Sequence, residues 1–386
     1  MKTNLNISRL EYLLKLYRID REELLDMVNT EAKLKNPLTQ DEIFADEIKT
    51  SHLKKIDKIF NKGLSFYIDP SHIKINKSSN IFFRKDRFKD ELNIGAKKIV
   101  NQFEDLKSTL STISKLSQLN LKRNFPVSTI HQAPQEVAVL VRKKVYPSRR
   151  ISKKRDFLKQ LIANLAEENV LVFEFVENHN LKHKANINGF FIQPNFIVLK
   201  RQQKSLSREL FTLAHELGHY LLNEEEIEDV DVRFNKQKES TIENWCNEFA
   251  FHFLAGSFVN DLNQLEKATE ANDFHKSYLS NIASITHLST LALYTRLLYK
   301  RKISKANYRL IKNTIINAIN QKEQAEKQKR ELDKELGIVS QGRAPKPINS
   351  PLYVNLLKTG LYEGIISEVD FCKHLKIKPE KLDQYF

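Results

Sequence analysis

Glycine is scarce in this chain, 9 of 386 residues, where a share of about 7% is usual. That scarcity argues against a glycine-rich β fold and a dinucleotide-binding glycine loop, and it favours a mainly helical chain. Two cysteines, Cys246 and Cys372, cannot make a disulfide framework. No window approaches the roughly 18 apolar residues of a membrane span. The opening Met-Lys-Thr-Asn-Leu-Asn leads into a charged amphipathic segment without an apolar signal core. These absences predict a cytoplasmic protein with no membrane segment. What is present fits: 41% hydrophobic and 29% charged residues exclude wholesale disorder, and the length suits two or three domains.

The formal net charge is +15, unevenly spread. Residues 51–200 carry 28 basic and 13 acidic side chains, and residues 301–350 carry 12 and 5. Between them, residues 201–250 carry 6 basic and 11 acidic. Two basic regions flanking an acidic one allow non-specific contact with DNA or with acidic proteins, or serve solubility alone.

Along the chain, residues 6–65 read as short helices. Ile7, Leu10, Leu13, Leu14 and Tyr17 recur at helical spacing, a second helix starts at Asp20, Asn36-Pro37 breaks the pattern, and a third run passes through Leu53, Ile56 and Phe60. Such helices suit a helix-turn-helix unit or any small bundle. Arg84 to Ser117 reads mostly as helix, and a dense basic run from Arg142 to Arg155 leads into a helix over Asp156 to Asn169. Residues 170–200 switch to β-branched and aromatic residues in three runs, Val170–Phe175, Gly189–Ile192 and Asn195–Leu199, with turns at Asn178-His179-Asn180 and Gln193-Pro194. From Leu206 onward nearly everything reads as helix, with a charged, solvated stretch at Gln321–Leu336 and a polar linker at Ser340–Pro351. The fold class expected is α+β, mainly helical, with one small sheet.

The chemistry sits in Leu210-Phe-Thr-Leu-Ala-His215-Glu216-Leu-Gly-His219. Residues four apart on a helix differ by about 40° in azimuth, so His215 and His219 present imidazoles side by side from consecutive turns. That pair supplies two of the three protein ligands of a catalytic zinc ion, and Glu216, offset from them, can reach metal-bound water as a general base. Chance gives roughly 0.04 such motifs in a chain of this composition. Leu210, Leu213, Ala214, Leu217 and Leu221 form the opposite, buried stripe. The best third ligand is Glu243, 24 residues after His219, in a helix where Asn247 and Ala250 share its face. The acidic run Glu224–Asp231 is the loop expected between the two helices. Asn247 either orients a ligand through an outer hydrogen bond or caps local backbone. Cys246, beside these residues, is better read as a small buried hydrophobe than as a redox sensor. A second electrophile is open among His252, His275, His287 and nearby tyrosines.

The His-Glu-Leu-Gly-His helix, preceded by Arg208-Glu-Leu-Phe-Thr-Leu-Ala and followed by Glu243-x-x-Cys-Asn-x-Phe-Ala, resembles the ImmA/IrrE family of bacterial metallopeptidases. Phe196-Ile-Val-Leu199 and Leu288-Ser-Thr-Leu-Ala-Leu-Tyr-Thr-Arg-Leu-Leu298 extend the likeness over about residues 155–300. The resemblance implies a zincin-like domain with His215, His219 and Glu243 as zinc ligands and Glu216 as general base. It implies limited proteolysis of one partner, typically a helix-turn-helix repressor, in a stress or mobile-element response. It also implies an XRE-type helix-turn-helix over residues 1–70, followed by a basic mixed connector (71–154), the peptidase domain (155–300) and a helical C-terminal region (301–386, linker near 340–351). Where the recognition helix should lie, at Leu38–Ala45, Asp41, Glu42, Asp46 and Glu47 gather and would repel phosphates. The alternative functions are a DNA-binding regulator or an antitoxin-like module whose zinc site is not catalytic.

Overall fold

The helical spacing that begins at Ile7 produces a helix over Ile7–Tyr17 (α1) in the computed structural model. The structure describes residues 2–32, 37–72, 92–177, 184–201, 205–225, 227–229, 241–338 and 346–386. The turn expected at Asn178-His179-Asn180, Asn36 of the expected break, the start of the helix expected from Arg84, and linker residues 340–345 lie outside them.

Two compact units emerge. One is built from Met1–Thr109 with a short stretch ending at Ile187, and the other takes most of the chain from Leu110 to Phe386. In the first, α1 packs with α2 (Arg21–Ala32), α3 (Gln40–Ile43), α4 (Thr50–Phe60) and α5 (Leu64–Ile68) around Leu10, Leu13, Tyr17, Leu24, Leu53, Ile56 and Phe60. A two-stranded ribbon, β1 (Lys2–Asn4) antiparallel to β2 (Glu47–Lys49), was not expected; strands of three residues carry no readable period. The segment expected to hold a recognition helix contains only the four residues of α3, closed by a Thr39/Glu42 capping box, and Asp41, Glu42, Asp46 and Glu47 are all exposed. The unit ends within α6 (Ile94–Leu116).

The second unit is α+β and mainly helical. Helices α7 (Pro134–Val145) and α8 (Lys154–Glu167) precede strands β3 (Leu171–Phe175), β4 (Ile187–Ile192) and β5 (Phe196–Lys200). Next come α9 (Leu206–Leu222), β6 (Ile227–Asp229) and α10 (Thr241–Ala255). The sheet order is β3-β5-β4-β6. β3 runs parallel to β5 with Leu171 opposite Phe196, and β4 runs antiparallel to β5 with Gly189 opposite Leu199. β3 and β4 are buried along their whole length and β5 in all but Lys200, which is why these strands read as nearly continuous apolar runs. The acidic run Glu224–Asp231 is a correction: Ile227–Asp229 forms a strand rather than loop. The backbone N–H of Gln193 donates to the buried Glu225 carboxylate at 2.9 Å.

Helix α9 also departs from the expected single buried stripe. It is buried nearly all round: helices α8 and α10 pack on it, and strand β5 lies against it. Ser205 caps it, its hydroxyl accepting from Arg208 N–H at 3.2 Å. On α10, Trp245, Phe249 and Phe253 stack in a ladder, ring centres 5.6 and 5.8 Å apart. Beyond it lie α11 (Phe258–Gln264), α12 (Lys276–Thr286), α13 (Thr290–Tyr299) and the 31-residue α14 (Lys305–Glu335). Described side chains from Gln321 to Glu335 are exposed except the half-buried Asp333, as a helix charged all round should be. The last pair, α15 (Pro351–Tyr362) and α16 (Glu368–Leu375), docks through Tyr353 against Phe173 of β3. No helix among the described residues is long and apolar enough to cross a membrane.

Candidate metal centre

Helices α9 and α10 touch in opposite order. His219 meets Glu243, Gly218 meets Cys246 and His215 meets Asn247. As α9 advances, its partners on α10 recede, so the two helices run antiparallel. His215 and His219 are 2% and 1% exposed at the side chain, whereas Glu243 is 24% exposed. The carboxylate therefore marks the side open to solvent.

The three side chains meet at one point. His215 Nε2 lies 3.1 Å from His219 Nε2 and 3.2 Å from Glu243 Oε2, and His219 Nε2 lies 3.4 Å from Glu243 Oε1. A tetrahedral ion with bonds of 2.0–2.2 Å needs ligand atoms about 3.3–3.6 Å apart. The observed edges are close to one face of that tetrahedron, and two imidazole nitrogens with a carboxylate are the donors zinc takes when a fourth position stays open. Among the described residues, this is the one group of His, Cys, Asp or Glu placed to hold a metal ion.

Asn247 Oδ1 stands 3.1 Å from His215 Nδ1. A carbonyl oxygen only accepts, so the pair places the imidazole proton on Nδ1 and leaves the Nε2 lone pair facing the centre. Glu216 is fully buried, and strand β4 runs beside it. A methyl group placed on Gly189 would lie 3.2 Å from Glu216 Cγ and 2.6 Å from Thr212 Cγ2. The missing side chain at Gly189 thus makes room for the carboxylate-bearing arm. Gly218 does the same for the helix pair, since a methyl there would lie 3.1 Å from Cys246 Sγ. Both glycines lie in segments the sequence singles out, but what packs against them comes from distant parts of the chain. The Cys246 thiol is buried in that contact.

The three histidines among the candidate electrophiles have partners of their own. His252 is tied to Glu248 and Arg296, His275 faces the Glu266 carbonyl, and the buried His287 packs against Phe157 with ring centres 4.4 Å apart. Burial, joined by the nearby Lys154 charge, holds the His287 ring below the usual histidine range, against the pull of its hydrogen bond to Ile151. The basic run 142–155 is likewise divided. Arg142 donates to the Phe253 and Leu254 carbonyls at the end of α10, Lys154 donates to Ser207 Oγ at 2.7 Å, and Arg155 pairs with Glu174. Lys143, Lys144, Arg149, Arg150 and Lys153 face solvent.

A pair of imidazoles from one helix, a carboxylate from the next and a second carboxylate beside them make up the kind of site that metal-dependent peptidases use. The comparison with protein families agrees: residues 166–297 match the family model of the IrrE N-terminal-like domain, peptidase M78, which supports the likeness to the ImmA/IrrE peptidases. The match takes in β3 through most of α13, and so both site helices. No curated protein matches the chain.

Proposed function

We propose that the chain is a zinc-dependent endopeptidase that cuts one partner protein, a helix-turn-helix repressor, as a step in a cytoplasmic stress or mobile-element response. The convergence of His215, His219 and Glu243 within hydrogen-bond distance of one another carries the reading, and the peptidase family match supports it. His215 and His219 would hold the ion through Nε2 and Glu243 through its carboxylate. Bound there, zinc supplies Lewis acidity, lowering the pKa of water to near neutrality and polarising a peptide carbonyl. Glu216 takes the proton of the attacking water and delivers it to the leaving amine. Asn247 keeps the His215 ring in the ligating tautomer.

The test is co-expression with the regulators encoded beside the chain, wild type against Glu216→Gln. A cleaved partner in the first and an intact one in the second supports the proposal. Equal cleavage in both removes Glu216 as the base, and cleavage in neither across those regulators removes the repressor substrate.

A further inference from the structure

The Leu288–Leu298 segment carries part of the family likeness yet supplies no group to the centre described above. Its Arg296, on α13, is 8% exposed and grips one flank of α10. Nη1 donates to Glu248 Oε1, and Nη2 donates to the His252 Nε2 lone pair at 3.3 Å. The guanidinium carbon also lies 4.6 Å from the centre of the Phe251 ring and 5.6 Å from that of Tyr299. Two acceptors one turn apart and a ring face between them are held by a single planar cation. That geometry fixes how a helix is rolled about its axis, which a point charge on a flexible stem does less well.

The roll of α10 decides whether the metal centre exists. At 100° per residue, Glu248 and His252 lie roughly 140–180° round the helix from Glu243. Side chains sit about 5 Å from a helix axis, so a 20° roll carries Glu243 and Asn247 by roughly 1.7 Å. Metal sites tolerate about 0.2 Å. Other restraints on α10 act on other faces, among them its buried aromatic ladder, Cys246 against Gly218, the Trp245 indole N–H to the Gln132 carbonyl at 2.8 Å, and Arg142 on the last carbonyls.

We propose that Arg296 is a positioning residue for the metal centre, fixing through Glu248 and His252 the rotation of α10 that aims Glu243 and Asn247 at His215. The inference rests on the metal reading above. Arg296 touches neither metal nor substrate. Although burial would raise the Glu248 carboxyl, the neighbouring His252 ring and the Arg296 guanidinium hold it down to about 2.

The experiment uses the full chain and zinc alone. Wild type, Arg296→Met, Arg296→Lys and Glu248→Gln are titrated against a chromophoric chelator, well below each melting temperature, and the visible spectrum of each cobalt-substituted form is recorded. The zinc Kd should rise about 5- to 10-fold in Arg296→Met and Glu248→Gln, toward the lower end of what partners of a ligand show, with Arg296→Lys between them and wild type. The cobalt bands should weaken in the same order. A merely structural role lowers the melting temperature and moves neither quantity, so folded variants with zinc Kd and cobalt spectra at the wild-type values overturn the proposal. Should Arg296→Met fail to fold, Arg296→Lys and Glu248→Gln give the answer. A wild type that binds no zinc defeats the metal reading itself, a separate result.

Discussion

Gly218 on α9 faces Cys246 on α10 so closely that a methyl group on the glycine would lie 3.2 Å from the cysteine Cα as well as 3.1 Å from its Sγ. The contact falls between the pairs His219/Glu243 and His215/Asn247, so the spacing of the two helices and of the ligand atoms is one quantity. Gly218→Ala should force the helices apart, with a loss of about 1–3 kcal/mol from overpacking and weaker zinc binding. Urea unfolding and a zinc titration on the same sample check it. A variant with wild-type zinc affinity would show that the helix spacing does not set the ligand spacing.

Gly189 makes a different prediction, because its clash is with Thr212 and the Glu216 arm rather than with a ligand. Gly189→Ala should keep its zinc and lose turnover on a cleaved partner. Adding Thr212→Ser removes the methyl nearest the new Cβ, so the double variant should recover stability more than activity. Recovery of both together would mean that Glu216 is not displaced.

Acid should act through Glu248. Its folded-state value, about 2, lies below the ordinary 4.5 because the neighbouring His252 ring and the Arg296 guanidinium outweigh burial. The unfolded chain therefore takes up the proton first. The stability this group contributes is complete above about 4.5 and is lost as pH falls towards about 2. Thermal melting between those values should show a shallower pH dependence in Glu248→Gln than in wild type. Parallel curves would assign the acid sensitivity to other carboxylates.

The C-terminal helices are tied on by a buried charge. Glu174, 1% exposed at the side chain, accepts from Arg155 through both oxygens and from the Ile348 backbone N–H at 2.6 Å, while Arg155 also donates to the Lys346 carbonyl at 2.9 Å. Arg155→Met leaves that carboxylate without its cation and should cost about 3 kcal/mol. Replacing both residues, Arg155→Met with Glu174→Leu, should recover much of the loss; chemical denaturation of the three proteins decides it.

Those consequences were legible in the sequence to unequal depth. His215 and His219 were readable because helix geometry alone brings residues four apart together, and Glu243 because a third ligand must come from a nearby helix. The three central strands showed in their β-branched and aromatic runs. Strands β1, β2 and β6 did not, since three residues carry no period and their pairing is decided by distant partners. Gly189, Gly218 and Arg296 matter only through what the fold sets against them, 23 or more residues away along the chain, and no local pattern announces such meetings. The buried face of α9 was underestimated for the same reason: which neighbours cover a helix is a property of the assembled layers.

The most direct test is zinc stoichiometry and affinity in wild type, Glu216→Gln and Glu243→Ala. One zinc per chain is expected in the first two, with affinity falling more than about 100-fold in the third, beyond the loss seen when only an outer partner is removed. Equal zinc affinity in wild type and Glu243→Ala would contradict the convergence of the two helices on a single ion.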